Sequence, residues 1–104
     1  MYRRVNLLDN DMSFLNDFND VNMVVYTAGF GRVTHFETIL EPEIDNSFQV
    51  NSIATLKVIS HYYERLRDRE PFYMAVMGSI AGLVSSPLFA LYGATKSAVC
   101  SAIE

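Results

Sequence analysis

Cysteine is almost absent from this sequence. It occurs once, at Cys100, so no disulfide can form within the chain. That usage fits a reducing compartment, and the expected location is the cytoplasm. The neighbours Ala98, Val99 and Ala102 suggest a buried, inert thiol rather than a nucleophile. Tryptophan is missing, and glycine (five) and proline (three) are sparse, with no repeat or low-complexity tract. Long apolar runs are missing as well, and none approaches the length needed to cross a bilayer. The opening MYRRVNLLDNDM has two arginines but lacks the apolar stretch of a signal peptide. Charge of one sign does not dominate: eight basic and twelve acidic residues leave a net charge of -4. This mild acidity argues against nucleic acid or an anionic membrane as partner. The only basic cluster, Arg65, Arg67 and Arg69, is interleaved with Asp68 and Glu70 and reads as a solvated helix end. No metal site is expected.

What is present points to a folded protein. The chain has 104 residues, half of them hydrophobic, including seven Phe and six Tyr. That is enough for one small domain over residues 1–104 and too apolar for disorder. Val5 to Leu8 is a short apolar run that predicts a strand, ending at Asp9, Asn10 and Asp11. Met12, Phe14, Leu15 and Phe18 share one helical face. Asn22 to Tyr26 (NMVVY) predicts a buried strand, and its unbroken apolar character favours a parallel sheet covered on both faces. A glycine-bearing turn follows at residues 27–31, then a loop with a short amphipathic piece to Leu40.

Pro42 sits where a helix favours proline, with Glu41, Glu43 and Asp45 at the same end. The helical pattern continues through Phe48, Ile53, Leu56, Ile59, Tyr63 and Leu66 until Pro71 ends it. Such a length predicts a kink or break near Asn51. Phe72 to Met77 (FYMAVM) predicts a second buried strand, residues 80–91 a loop, and Tyr92 to Glu104 a helix of mostly small residues. Strands alternating with helices imply an α/β fold with a parallel sheet. Sites in such sheets form beyond the carboxyl ends of the strands, here Thr27-Ala28-Gly29 and Gly78-Ser79.

Tyr92 and Lys96 are four residues apart, on one face of the last helix. A phenol ordinarily titrates near 10, and a nearby cation favours its charged form. The pair therefore suits general acid/base work, although the spacing also describes an ordinary surface pair. Ser79 follows a strand, where its hydroxyl could bond a substrate oxygen or simply cap the loop.

The segment GSIAGLVSSPLFALYGATK resembles the active-site stretch of the short-chain dehydrogenases. Val24-Val25-Tyr26-Thr27-Ala28-Gly29 resembles that family's fourth strand and its N-N-A-G motif, and Pro42 to Asn51 the helix leading to its catalytic asparagine. Leu7-Leu8-Asp9 resembles the third strand. The resemblance implies an incomplete Rossmann-like, doubly wound parallel sheet holding strands 3 to 5. It implies NAD or NADP as cofactor and a small alcohol or carbonyl compound as substrate. By the same resemblance Tyr92 exchanges a proton with the substrate, and Lys96 holds the nicotinamide ribose and tunes the tyrosine. Ser79 polarises the substrate carbonyl, and Asn51 holds a water in a proton relay. Ala28 and Gly29 let the cofactor pass close to the backbone, and Asp9 lies near the adenine, unless it merely caps a helix. A homodimer or homotetramer would form through the helices at Asn51–Arg69 and Tyr92–Glu104.

Several positions depart from the family pattern. Tyr26 and Thr27 replace the paired asparagines, Gly78 a serine, and Asn10 an apolar residue. The glycine-rich phosphate loop G-x-x-x-G-x-G has no counterpart, and Gly29-Phe30-Gly31 is only a lone G-x-G. Without the first two strands, the third and fourth cannot pair in the usual order, which exposes strand edges. Two other functions remain open. One is a non-catalytic remnant acting through association. The other is a hydrolase using Ser79 and Lys96, although G-S-I-A-G places the serine one position early for a nucleophile elbow. His35 and His61 read as structural.

Overall fold

The structure, a computed structural model, describes residues 2–68, 71–84 and 86–103. Two short strands, β1 (Met23–Tyr26) and β2 (Tyr73–Val76), run parallel, with Met23 opposite Tyr73 and Tyr26 opposite Val76. The crossover between them is helical. Helix α1 (Glu41–Phe48) starts with Pro42 in its first turn and an acidic N-terminus. It runs into a π-helical segment, Gln49–Ile53, and then into α2 (Ala54–Arg67). The expected break near Asn51 is this π segment, where one extra residue is accommodated without ending the helix. Helix α3 (Ala90–Ile103) follows β2 and begins two residues before Tyr92. The loop before it contains two 3₁₀ turns, Ile80–Gly82 and Pro87–Phe89. Arg69, Glu70 and Glu104, which complete the expected basic cluster and helix ends, lie outside the described residues.

Two expectations are corrected. Residues 5–8 form no strand; Leu7–Asp9 is a 3₁₀ turn. Asn6 caps it by accepting a hydrogen bond from the Leu8 N–H (3.1 Å), and Asn10 closes it at φ 56°. Among the described residues no strand pairs with this segment, so local side-chain bonding decides its shape. The strands are also not buried on both faces. Val24, Tyr26 and Met74 pack inward, whereas Met23, Val25 and Tyr73 are 60–66% exposed.

The core lies between α2, the 3₁₀ helix Ser13–Phe18 and the inner face of the sheet. Leu15, Val58, Tyr62 and Phe72 form its buried centre. Tyr62 stacks on Phe72 with ring centroids 5.4 Å apart, and its hydroxyl donates to the Phe18 carbonyl (3.0 Å). Small residues bring the Ile80–Gly82 turn onto α3: a Cβ on Gly82 would lie 2.8 Å from the Lys96 backbone. Among the described residues no helix is long and apolar enough to cross a membrane.

Burial pushes the phenols of Tyr26 and Tyr62 above the ordinary tyrosine value of 10.0. The unfolded chain therefore loses these protons first as pH rises. Stability contributed by the neutral, buried phenols is complete below pH 10 and declines as pH climbs through the folded values. A urea midpoint that falls above pH 10 checks this, and Tyr62→Phe should flatten the fall.

Candidate active site

Tyr92 and Lys96 lie one turn apart on α3, as their spacing requires. Lys96 is only 4% exposed, unusual for a lysine. Its ammonium donates to the Met77 carbonyl (3.3 Å) just beyond β2 and lies 5.8 Å from the Tyr92 ring centroid. The Met77 N–H in turn donates to the Tyr26 carbonyl (2.9 Å). The lysine is thus held at the carboxyl ends of both strands. A cavity of about 330 Å³ opens there, walled by Thr27 and Gly29 after β1, Met77 after β2, and Phe89, Tyr92 and Lys96. A Cβ on Gly29 would sit 3.2 Å from both the Lys96 ammonium and the Asn51 side-chain oxygen, so glycine keeps this passage open.

Asn51 is fully buried in the π segment. Its Oδ1 accepts from the Phe30 N–H (2.9 Å), and its Nδ2 donates to the Phe30 carbonyl (2.7 Å) and to Thr95 Oγ1 (3.1 Å). The Thr95 hydroxyl donates to the Tyr92 carbonyl (2.7 Å). Asn51 therefore ties the loop after β1 to α3 through Thr95. Its own carbonyl accepts from Thr55 Oγ1 (2.9 Å).

The other expected residues are placed differently. Ser79 is half-buried and caps the Ile80–Gly82 turn, its Oγ accepting from the Ala81 N–H (3.1 Å). It does not wall the Tyr92 cavity, and among the described residues its hydroxyl donates no hydrogen bond. Ala28 is half-buried beside Gly29. Asp9 lines a separate cavity with Arg3 and Arg4. His61 pairs with Asn19 (2.9 Å) and His35 is exposed. Among the described residues neither histidine bonds Ser79, and Lys96 bonds Met77 instead of Ser79. Thr95 has no signal in the sequence beyond its place in a helix of mostly small residues. The Met77 carbonyl likewise has no side-chain signal.

The family profile described as short chain dehydrogenase matches residues 12–104. The chain belongs to the short-chain dehydrogenase family. The match begins after Leu7-Leu8-Asp9, so the supposed third strand lies outside it. An uncharacterized oxidoreductase of Saccharomyces cerevisiae is 23% identical over 83 residues, which are 80% of this chain and 27% of that protein. A short-chain dehydrogenase/reductase from Vibrio parahaemolyticus superposes with a TM-score of 0.84 at 23% identity, covering 98% of this chain and 50% of that one. A 4-hydroxyisoleucine dehydrogenase complexed with NADH and succinate gives 0.78 at 18% identity, covering 94% and 45%. These likenesses show the fold, an incomplete Rossmann-like α/β arrangement. The chain spans about a quarter of that curated relative and about half of each solved neighbour.

Proposed function

We propose that this dehydrogenase-family chain carries the catalytic half of an NAD(P)-dependent oxidoreductase. The reaction is hydride transfer between nicotinamide and a secondary alcohol or ketone. The observation that supports it best is the buried Lys96 ammonium beside the Tyr92 phenol at the strand ends. Tyr92 exchanges the proton with the substrate oxygen. The Lys96 cation stabilises negative charge that develops on the phenolic oxygen. In this reading Ser79 polarises the substrate carbonyl from beyond the residues that wall the cavity, its hydroxyl donating no hydrogen bond among the described residues, and Asn51 fixes the loop that borders the cavity.

The residues present fit the nicotinamide-ribose end of the cofactor. Gly29 leaves the gap beside Lys96 open, and among the described residues Lys96 donates one hydrogen bond, leaving donors for ribose hydroxyls. When bound, the cofactor supplies or accepts the hydride. Ala28 and Gly29 line its path. The chain contains no glycine-rich phosphate loop, so this fit covers only part of the cofactor.

The proposal includes a homodimer or homotetramer built on α2 and α3. Ile53, Leu56, Tyr63 and Leu66 are 39–57% exposed and recur at helical spacing, leaving an apolar stripe on that side. The same stripe favours a second reading, association without turnover. Titration with NADH and NADPH, followed by fluorescence and by turnover on a panel of secondary alcohols and ketones, separates the two. Cofactor binding with turnover is expected. A dimer in sedimentation that gives no cofactor response and no turnover would support the second reading and sink the first.

A further inference from the structure

We propose that Gly31 is a positioning residue for Tyr92, and that the loop Phe30–Thr34 acts as a fixed rest for the tyrosine ring. The inference rests on the reading of Tyr92 as the proton-exchanging group.

The contact is close. A Cβ built on Gly31 would lie 2.3 Å from Cδ1 of Tyr92, 2.7 Å from Cγ and 3.0 Å from Cβ. These atoms are at the root of the side chain, so a small bend at its tip cannot relieve the overlap. Backbone conformation does not demand glycine here, since no glycine in the described residues has positive φ. Space demands it. Gly31 is glycine because the Tyr92 ring occupies the volume a side chain would fill.

The loop cannot easily yield to the ring, because it is tied on both sides of Gly31. Phe30 is held through both its N–H and its carbonyl by buried Asn51 (2.9 and 2.7 Å). Arg32 makes two bonds to the Glu43 carboxylate on α1, both 2.7 Å. Arg32 also holds the Glu43 carboxyl below the usual carboxylate range. The Thr34 N–H donates to the Leu88 carbonyl (3.0 Å). On its other sides the ring meets Phe89, with centroids 6.2 Å apart, and the Lys96 ammonium. The ring is therefore seated between a pinned backbone and α3. Any displacement changes where the phenol lies in the cavity that Gly31 and Tyr92 both line.

The test is Gly31→Ala, with Glu43→Gln as a second variant that releases the Arg32 tie. Ring-¹³C tyrosine labelling reports on the six tyrosines, and Tyr92→Phe assigns the signal of Tyr92. Gly31→Ala is expected to shift the Tyr92 ring signals while the other five stay in place. It should lower kcat about hundredfold with KM changed less than about threefold, the loss that goes with a misplacement near 1 Å. Glu43→Gln should broaden the same ring signals and lower kcat by a smaller factor. A purely structural glycine would lower the folded fraction and leave Tyr92 unmoved in the molecules that fold. Unmoved Tyr92 signals in Gly31→Ala overturn the proposal. If that variant does not fold, unmoved signals in Glu43→Gln do so. The spectra need no turnover, so a wild-type chain that lacks oxidoreductase activity defeats the proposed function while the ring signals still decide this one.

Discussion

Tyr92→Phe is expected to lower turnover by a factor of about 10² to 10⁴, the usual contribution of a positioned acid/base group. The fold should not change. Among the described residues the Tyr92 hydroxyl makes no hydrogen bond, so removing it leaves no orphaned protein partner. The ring stays, and with it the contacts to Phe89 and the Lys96 ammonium. Cofactor affinity should change little, since Lys96 and Gly29 border the gap independently of the phenol. The measurement is steady-state kinetics beside a cofactor titration and a thermal melt. Full activity with an unchanged melt would remove Tyr92 from the chemistry and the proposed mechanism with it.

The second large effect concerns stability. Tyr62→Ala is expected to cost about 3–5 kcal/mol, as for other large aromatic deletions from a core. Tyr62 is 3% exposed, stacks on Phe72 and meets His61 edge-on at 4.7 Å. Its loss would open a void between α2 and the sheet and leave the Phe18 carbonyl without its donor. A domain of this size is stable by about 5–15 kcal/mol, so the variant should lose a large share of its stability. Urea unfolding followed by circular dichroism reads the change. Tyr62→Phe keeps the ring and loses one hydrogen bond, so about 1 kcal/mol is expected from it. A Tyr62→Ala loss no larger than that of Tyr62→Phe would mean that the ring is not a core element.

Part of the candidate site is legible in the sequence through short-range periodicity. Tyr92 and Lys96 share a face by spacing alone, and a helix too long for its pattern announced the π segment at Asn51. Contacts across the chain were another matter. Asn51 meets Thr95 from 44 positions away, and no local pattern encodes that pairing. Gly31 looked like half of a weak phosphate motif, and only the ring packed against it reveals its role. Apolar residues make a strand only where an edge accepts them, and Leu7-Leu8-Asp9 pairs with no strand among the described residues. The outward residues of β1 and β2 are as apolar as the inward ones, so composition concealed which face is open. Whether Ser79, Ala28 and Asp9 act on substrate or cofactor is likewise not a matter of pattern.

The parallel pairing of β1 with β2 also governs how the chain reaches its native state. Met23 and Tyr73 lie fifty positions apart, with the whole helical crossover between them. Closing a flexible loop of that length costs about 3.5 kcal/mol in chain entropy before any sheet contact repays it. The helices α1 and α2 need no such closure and can form from local contacts. Docking of the two strands is therefore expected to limit folding, making it slower than the helical content suggests, a rate that stopped-flow refolding reads.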